Sequence, residues 1–234
     1  MTQKIKKSFA FAPLIKCVTI QESEEILPVG KIYCVGKNYS DHAKEMGGKV
    51  DNDEPFFFSK PPQSITQLNL IPFPTRTKNL HHEVELVVVL KSECSNIMPD
   101  KAGDHIFGYA VGVDLTKRDL QVNAKESRKP WDLSKGFDNS APCSALKTVS
   151  EVGHPDTGDA SIWIKVNGKI RQESTLDLHI WNTAETINYL SSLCELKPGD
   201  LIYMGTPDGV ASVVSGDKMH GHIDGLGDLI INIA

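Results

Sequence analysis

The stretch HHEVELVVVL, residues 81 to 90, constrains the fold more than any other part of the chain. Its valine-rich end reads as a buried β-strand, yet it carries two glutamates. Side chains alternate along a strand, so Glu83, Glu85, Val87 and Val89 share one face, and Val84, Leu86, Val88 and Leu90 share the other. The two carboxylates therefore point the same way, roughly 6.5 to 7 Å apart along the strand. A buried carboxylate needs a partner for its charge. Either this is an edge strand whose glutamates face water, or both acids converge on one cation. The valine run argues for the second reading.

Asp114 ends another apolar run, IFGYAVGVD (106 to 114), and would supply a third oxygen if the two strands are neighbours. An all-carboxylate set favours Mg2+, Mn2+ or Ca2+ over zinc, which usually recruits histidine or cysteine. His81, two residues before Glu83, leaves a mixed zinc site as the alternative. A second pair lies in NYSDHAKEM (38 to 46). If that stretch is helical, His42 and Glu45 are neighbours on one face. The carboxylate would then orient the imidazole and raise its basicity, and the imidazole would take a proton from water or substrate.

The remainder reads as strand-rich. KIYCVG (31 to 36) is a strand, after which NYSDHAKEM forms a short helix closed by Gly47, Gly48 and Lys49. PFFFSKPP is an aromatic strand stopped by Pro61 and Pro62, which cannot donate to a ladder. TKRDLQVNAKES predicts a helix. Asn167-Gly168, between two strand-forming runs, predicts a hairpin with a type I′ turn. Ile180, Ala184, Ile187, Leu190 and Leu193 fall at helical spacing and predict a helix with one face on the sheet. The glycine-punctuated tail suggests a sheet that closes into a barrel or roll.

With 234 residues, 40% of them hydrophobic, the chain suits one sizeable domain. A net charge of -5 argues against nucleic-acid or membrane partners, which need concentrated basic surface. No apolar run is long enough to span a bilayer. Five scattered cysteines without C-x-x-C spacing fit a reducing cytoplasm. The opening MTQKIKKSFAFAPLIKCV, acid-free but lacking arginine, leaves a mitochondrial presequence as the alternative location.

CVGKNYSDHAKEMG, HHEVELVVVL, GYAVGVDLTKRDLQ, PWDLSKGFDNSAP and PGDLIYMGTPDGV, in this order, resemble the fumarylacetoacetate hydrolase family. The likeness is to its short single-domain members, the acylpyruvase and oxaloacetate-decarboxylase-like proteins. It runs from residue 31 to the C-terminus, leaving residues 1–30 as a lead-in. The resemblance implies a mixed, β-rich α+β fold: the rolled mixed sheet (roll or barrel) of the family's C-terminal domain, with short peripheral helices. It implies a homodimer, Mg2+ or Mn2+ as cofactor, and a small-molecule 2-oxo acid as substrate.

The same resemblance maps metal ligands onto Glu83, Glu85 and Asp114, and a catalytic dyad onto His42 and Glu45, on a segment that closes over substrate. It makes Lys135 an active-site lysine, and Gln121, Gly205, Thr206, Arg118 and Lys60 substrate contacts. The implied reaction is hydrolysis of a carbon–carbon bond in a 2,4-dioxo acid such as acetylpyruvate or fumarylpyruvate, giving pyruvate and a carboxylic acid. The same apparatus would serve an oxaloacetate decarboxylase, a keto–enol tautomerase or a 2-hydroxyhepta-2,4-diene-1,7-dioate isomerase. Two rivals come from other classes. One is a catalytically inactive metal-binding relative; the other is a metal-free glycosidase using Glu83 and Glu85 as its carboxylate pair.

Overall fold

The computed structural model describes residues 9–45 and 54–234. Strand Val84–Leu90 is buried at every position, as its valine run predicts, and lies inside a six-stranded mixed sheet. Its neighbours are Ile106–Val113 and Leu201–Tyr203, both antiparallel to it. Beyond Leu201–Tyr203 come Ile32–Gly36, in parallel, and then Phe56–Lys60, antiparallel. The sheet is thus no edge on which glutamates could face water.

The period-two reading of the strand is met on both faces. Val84, Leu86, Val88 and Leu90 enter a core shared with Ile162, Ile164, Met219 and Ile231 of a second sheet. Val87 and Val89 enter a separate cluster with Val18, Ile32, Leu146 and Tyr203. Burial of each such side chain contributes about 1.5–3 kcal/mol, so the strand is anchored from two sides. Part of the lead-in joins this second cluster: Cys17–Thr19 pairs with Ile26–Pro28, and Val18 is fully buried.

The second sheet has five strands, in the order Lys169–Thr175, Ser161–Val166, Lys218–Ile223, Gly227–Ile233 and Leu70–Ile71. Its first hairpin turns at Asn167 (φ 51°) and Gly168 (φ 78°), the two positive values a type I′ turn requires. The strand-rich α+β class is as expected, but among the described residues no sheet closes into a barrel. The two larger sheets are open layers packed through one core. Glycine turns in the tail signal reversals of direction; they carry no information on whether the outer strands meet.

Four helices bear on the site or frame it: Ser40–Glu45, Arg118–Glu126, Asp132–Lys135 and Thr183–Leu193. The glycine closure expected for the first, at residues 47 to 49, lies outside the described residues. The last helix starts three residues later than the spacing from Ile180 implies. Asn182 accepts from the Glu185 N–H and Glu185 accepts from the Asn182 N–H, a reciprocal cap that fixes the start at Thr183. Leu193, expected on the buried face, is 63% exposed, whereas Ile187 and Leu190 are buried. Among the described residues, no helix is long and apolar enough to cross a membrane. All five cysteines are free thiols.

Candidate metal centre and cleft

The backbone places the three acids together. Val84 pairs with Val113, so Glu83 and Asp114 face each other just past the paired ends, and the Asp114 N–H donates to the Glu83 carbonyl at 2.8 Å. Glu83, Glu85 and Asp114 are all buried, and each offers a carboxylate oxygen within 4.8 Å of the others. His81 does not join them. The chain breaks strand pairing at Glu83, and His81 lies on the separate short strand Leu80–His82. There its ring accepts from Arg118 Nε at 3.3 Å and meets Asn79 Oδ1 at 2.9 Å. The mixed zinc alternative therefore falls.

Cations already compensate two of the acids. The Lys135 ammonium donates to Glu83 Oε2 (2.8 Å), Asp114 Oδ2 (2.5 Å) and Thr116 Oγ1 (2.6 Å). Arg118 donates to Glu83 Oε1 and, from its other terminal nitrogen, to Gln121 Oε1. Burial alone would raise the Glu83 pKa, but Lys135 and Arg118 outweigh it and hold the carboxyl well below the ordinary range. Lys135 in turn is raised, because Asp114 and Glu83 outweigh its desolvation.

Glu85 is different. Among the described residues, its carboxylate has one hydrogen bond, from the Gly205 N–H at 2.8 Å, and no ion pair. Burial first, then Asp114 and Glu83, push its pKa well above the carboxylate range. Lys60 Nζ lies 2.7 Å from Asp114 Oδ1, but off the direction of a hydrogen bond, so that oxygen keeps free lone pairs. An all-oxygen set with one uncompensated carboxylate and an unbonded oxygen on a second fits a hard divalent ion.

The remaining named residues surround this centre. His42, Arg118, Gln121, Lys135 and Thr206 line one cleft with Glu83 and Glu85. His42 Nδ1 lies 3.4 Å from Glu45 Oε2, and Glu45 Oε1 accepts from the Gly209 N–H at 3.2 Å. Burial lowers the His42 pKa against the opposing pull of Glu83 and Glu45, which favours the neutral imidazole. Lys60 sits behind Asp114 and is not among the cleft-lining residues. Its ammonium donates to Leu115 O, Lys135 O and Ser140 O. Gly205 has φ +90°, and a Cβ there would come within 2.7 Å of the Asn38 Cβ. The position thus requires glycine to bring its N–H onto Glu85.

Two buried amides were not singled out in the sequence. Gln172 accepts from the Val84 N–H at 3.1 Å, which fixes its amide orientation, so its Nε2 donates to Thr206 Oγ1 at 2.7 Å. The Thr206 hydroxyl hydrogen is thereby left to donate into the cleft. Asn38 donates to Trp181 O and Met204 O and accepts from Trp181 N–H, tying together the segments that carry His42 and Gly205. Neither has a local signal, since a lone Asn or Gln beside a strand ordinarily reads as a turn or surface residue.

Comparison with known proteins places this geometry. A family model described as fumarylacetoacetate (FAA) hydrolase C-terminal matches residues 31–234. The chain is 38% identical over 191 residues to the fumarylpyruvate hydrolase of a Ralstonia species, covering 80% of this chain and 98% of that one. It is 39% identical over 204 residues to the mitochondrial oxaloacetate tautomerase FAHD1 of Arabidopsis thaliana, covering 87% and 90% respectively. Among solved structures, the fumarylpyruvate hydrolase of Pseudomonas aeruginosa in complex with Mn2+ and pyruvate superposes with a TM-score of 0.93 at 43% identity, over 97% of this chain and 99% of that one. On a family model that spans most of its length and on relatives this similar, the chain belongs to the fumarylacetoacetate hydrolase family of enzymes.

Proposed function

We propose that this chain is a divalent-metal-dependent hydrolase that splits a carbon–carbon bond of 2,4-dioxo acids, giving pyruvate and a carboxylic acid. The observation that carries the reading is a carboxylate-oriented imidazole, His42, lining the same cleft as the acidic triad. Glu83, Glu85 and Asp114 would hold Mg2+ or Mn2+, which supplies positive charge to the 2-oxo end of the substrate.

The protein's own residues do the rest. Glu45 takes the Nδ1 hydrogen bond, leaving His42 Nε2 to remove a proton from water, and the resulting hydroxide adds to the distal carbonyl. The Thr206 hydroxyl faces the cleft as a donor for developing negative charge, and Lys135, whose hydrogens go to Glu83, Asp114 and Thr116, adds its positive charge beside it. Breakage of the C3–C4 bond sends its electron pair to the pyruvate half, and the imidazolium returns its proton to C3. Arg118 and Gln121 hold the orientation of Glu83 and the cleft wall, and Lys60 supports Asp114 from behind.

A second reading is favoured by one observation, the comparable identity to an oxaloacetate tautomerase. Tautomerisation or decarboxylation of oxaloacetate would use the same acids and need no attacking water. Turnover of acetylpyruvate, fumarylpyruvate and both tautomers of oxaloacetate by the Mn2+-loaded protein decides between them. Absence of hydrolysis alongside fast tautomerisation would replace the first reading by the second. We further propose residues 31–234 as the catalytic domain after a lead-in, a homodimer as the assembly and the cytoplasm as the compartment; light scattering of the purified protein tests the assembly.

A further inference from the structure

We infer that Gln172 is a positioning residue for the reaction: it acts through Thr206, fixing that hydroxyl as a hydrogen-bond donor toward the bound 2-oxo acid. The inference rests on the proposed 2-oxo acid site and adds a residue of the second sheet that lies behind the cleft wall.

Gln172 belongs to the edge strand Lys169–Thr175 and is the one buried residue of that strand. Pairing with Ser161–Val166 skips Arg171, since Ile164 faces Gln172 and Lys165 faces Ile170. Such a bulge bends the strand and re-aims its side chains. The loop after Leu201–Tyr203 closes directly on it. Gly209 has φ +86°, and a Cβ there would collide with the Arg171 carbonyl. The same glycine carries the N–H that Glu45 accepts, so the bulge, the loop and the His42–Glu45 pair are held in one register.

Every hydrogen-bonding position of the Gln172 amide is used. Its Oε1 accepts from the Val84 N–H at 3.1 Å and from His82 Nδ1 at 2.9 Å, and its Nε2 donates to Pro207 O and Thr206 Oγ1, both at 2.7 Å. A flipped amide would set N–H against the Val84 N–H and oxygen against the Pro207 carbonyl, so its polarity is fixed from both ends. His82, fully buried, therefore keeps its hydrogen on Nδ1. Thr206 accepts from behind and lines the cleft in front, so its own hydrogen is directed at an acceptor there: a ligand oxygen carrying negative charge. Without a donor behind it, the hydroxyl would be free to turn either way.

The test is a double-mutant cycle on the Mn2+-loaded protein, with native folding checked by circular dichroism. Gln172→Met removes the donor, and Gln172→Glu keeps the shape while turning an acceptor toward Thr206. Each is made alone and with Thr206→Val, which keeps the side-chain shape and removes the hydroxyl. Two quantities are read: kcat/KM for acetylpyruvate, and calorimetric affinity for oxalate, a planar dianion shaped like the pyruvate enolate. Alone, Gln172→Met should lower both about ten-fold, the kinetic loss falling on kcat. In the Thr206→Val background it should cost about two-fold or less, and Gln172→Glu should show coupling of the same sign. Mn2+ affinity should stay at the wild-type value. Coupling in oxalate affinity without turnover of acetylpyruvate supports the Gln172 assignment while removing the hydrolase reading. Losses of equal size with and without the Thr206 hydroxyl, or no loss at all, overturn the inference. So does a fall in Mn2+ affinity as large as the fall in oxalate affinity, which would place the effect on the glutamate strand through Val84.

Discussion

Replacing Asn38 by alanine tests whether one buried amide holds the site together. Asn38 is fully buried, and its side chain donates to Trp181 O at 2.9 Å and Met204 O at 2.7 Å and accepts from the Trp181 N–H at 2.8 Å. Among the described residues, alanine leaves the Met204 carbonyl and the Trp181 N–H without a mate and leaves the Trp181 carbonyl only the Thr186 hydroxyl at 3.5 Å. At about 1 kcal/mol for each lost bond the cost is about 3 kcal/mol. For a domain of this length, that lowers Tm by about 6 to 12 °C. Asn38→Asp should cost more than alanine, because it turns a carboxylate oxygen toward the two carbonyls. Differential scanning calorimetry and urea denaturation read both variants. A Tm for Asn38→Ala equal to wild type, or an aspartate variant more stable than the alanine one, would refute the reasoning.

Other expectations follow from the same geometry. His42→Ala should bind Mn2+ as wild type does, by calorimetry, while hydrolysis falls by about 10²–10⁴-fold; full retained hydrolysis would remove His42 as the base. Glu85→Gln should weaken Mn2+ binding at least ten-fold, because the amide cannot supply the charge that Glu85 brings to the centre. His179 is enclosed against Tyr39, and among the described residues neither ring nitrogen has a hydrogen-bond partner. Burial lowers its pKa to about 4, so between pH 6.5 and 4 the unfolded chain binds a proton that the native one refuses. Stability is then lost as pH falls through that window, by up to about 1.4 kcal/mol per pH unit from this group. His179→Phe should flatten the acid limb of a Tm-against-pH curve, and an unchanged limb would show that His179 titrates normally.

The strand that carries the glutamates was legible because its signal is local: alternation alone assigns Glu83 and Glu85 to one face, and two hydrophobic clusters confirm the two faces. The meeting of Asp114 with Glu83 needed strand adjacency, which the sequence only suggested. Lys60, Gln172 and Asn38 show where reading along the chain stops. Each is a buried polar side chain whose partners lie far away in sequence, and nothing in its own neighbourhood distinguishes it from a surface residue. The start of the last helix was misplaced for the opposite reason. A short-range apolar spacing beginning at Ile180 outweighed the Asn182–Glu185 cap that sets the boundary. Closure of the sheets was beyond sequence reading, because it depends on accumulated twist over many strands.

Strand Val84–Leu90 is gripped by apolar packing on both faces up to the residues where its carboxylates emerge. The acids at its end are therefore aimed during folding, and the entropy of aligning them is spent once in the life of the molecule. A ligand arriving in the cleft meets groups that are already in position and does not have to gather them itself.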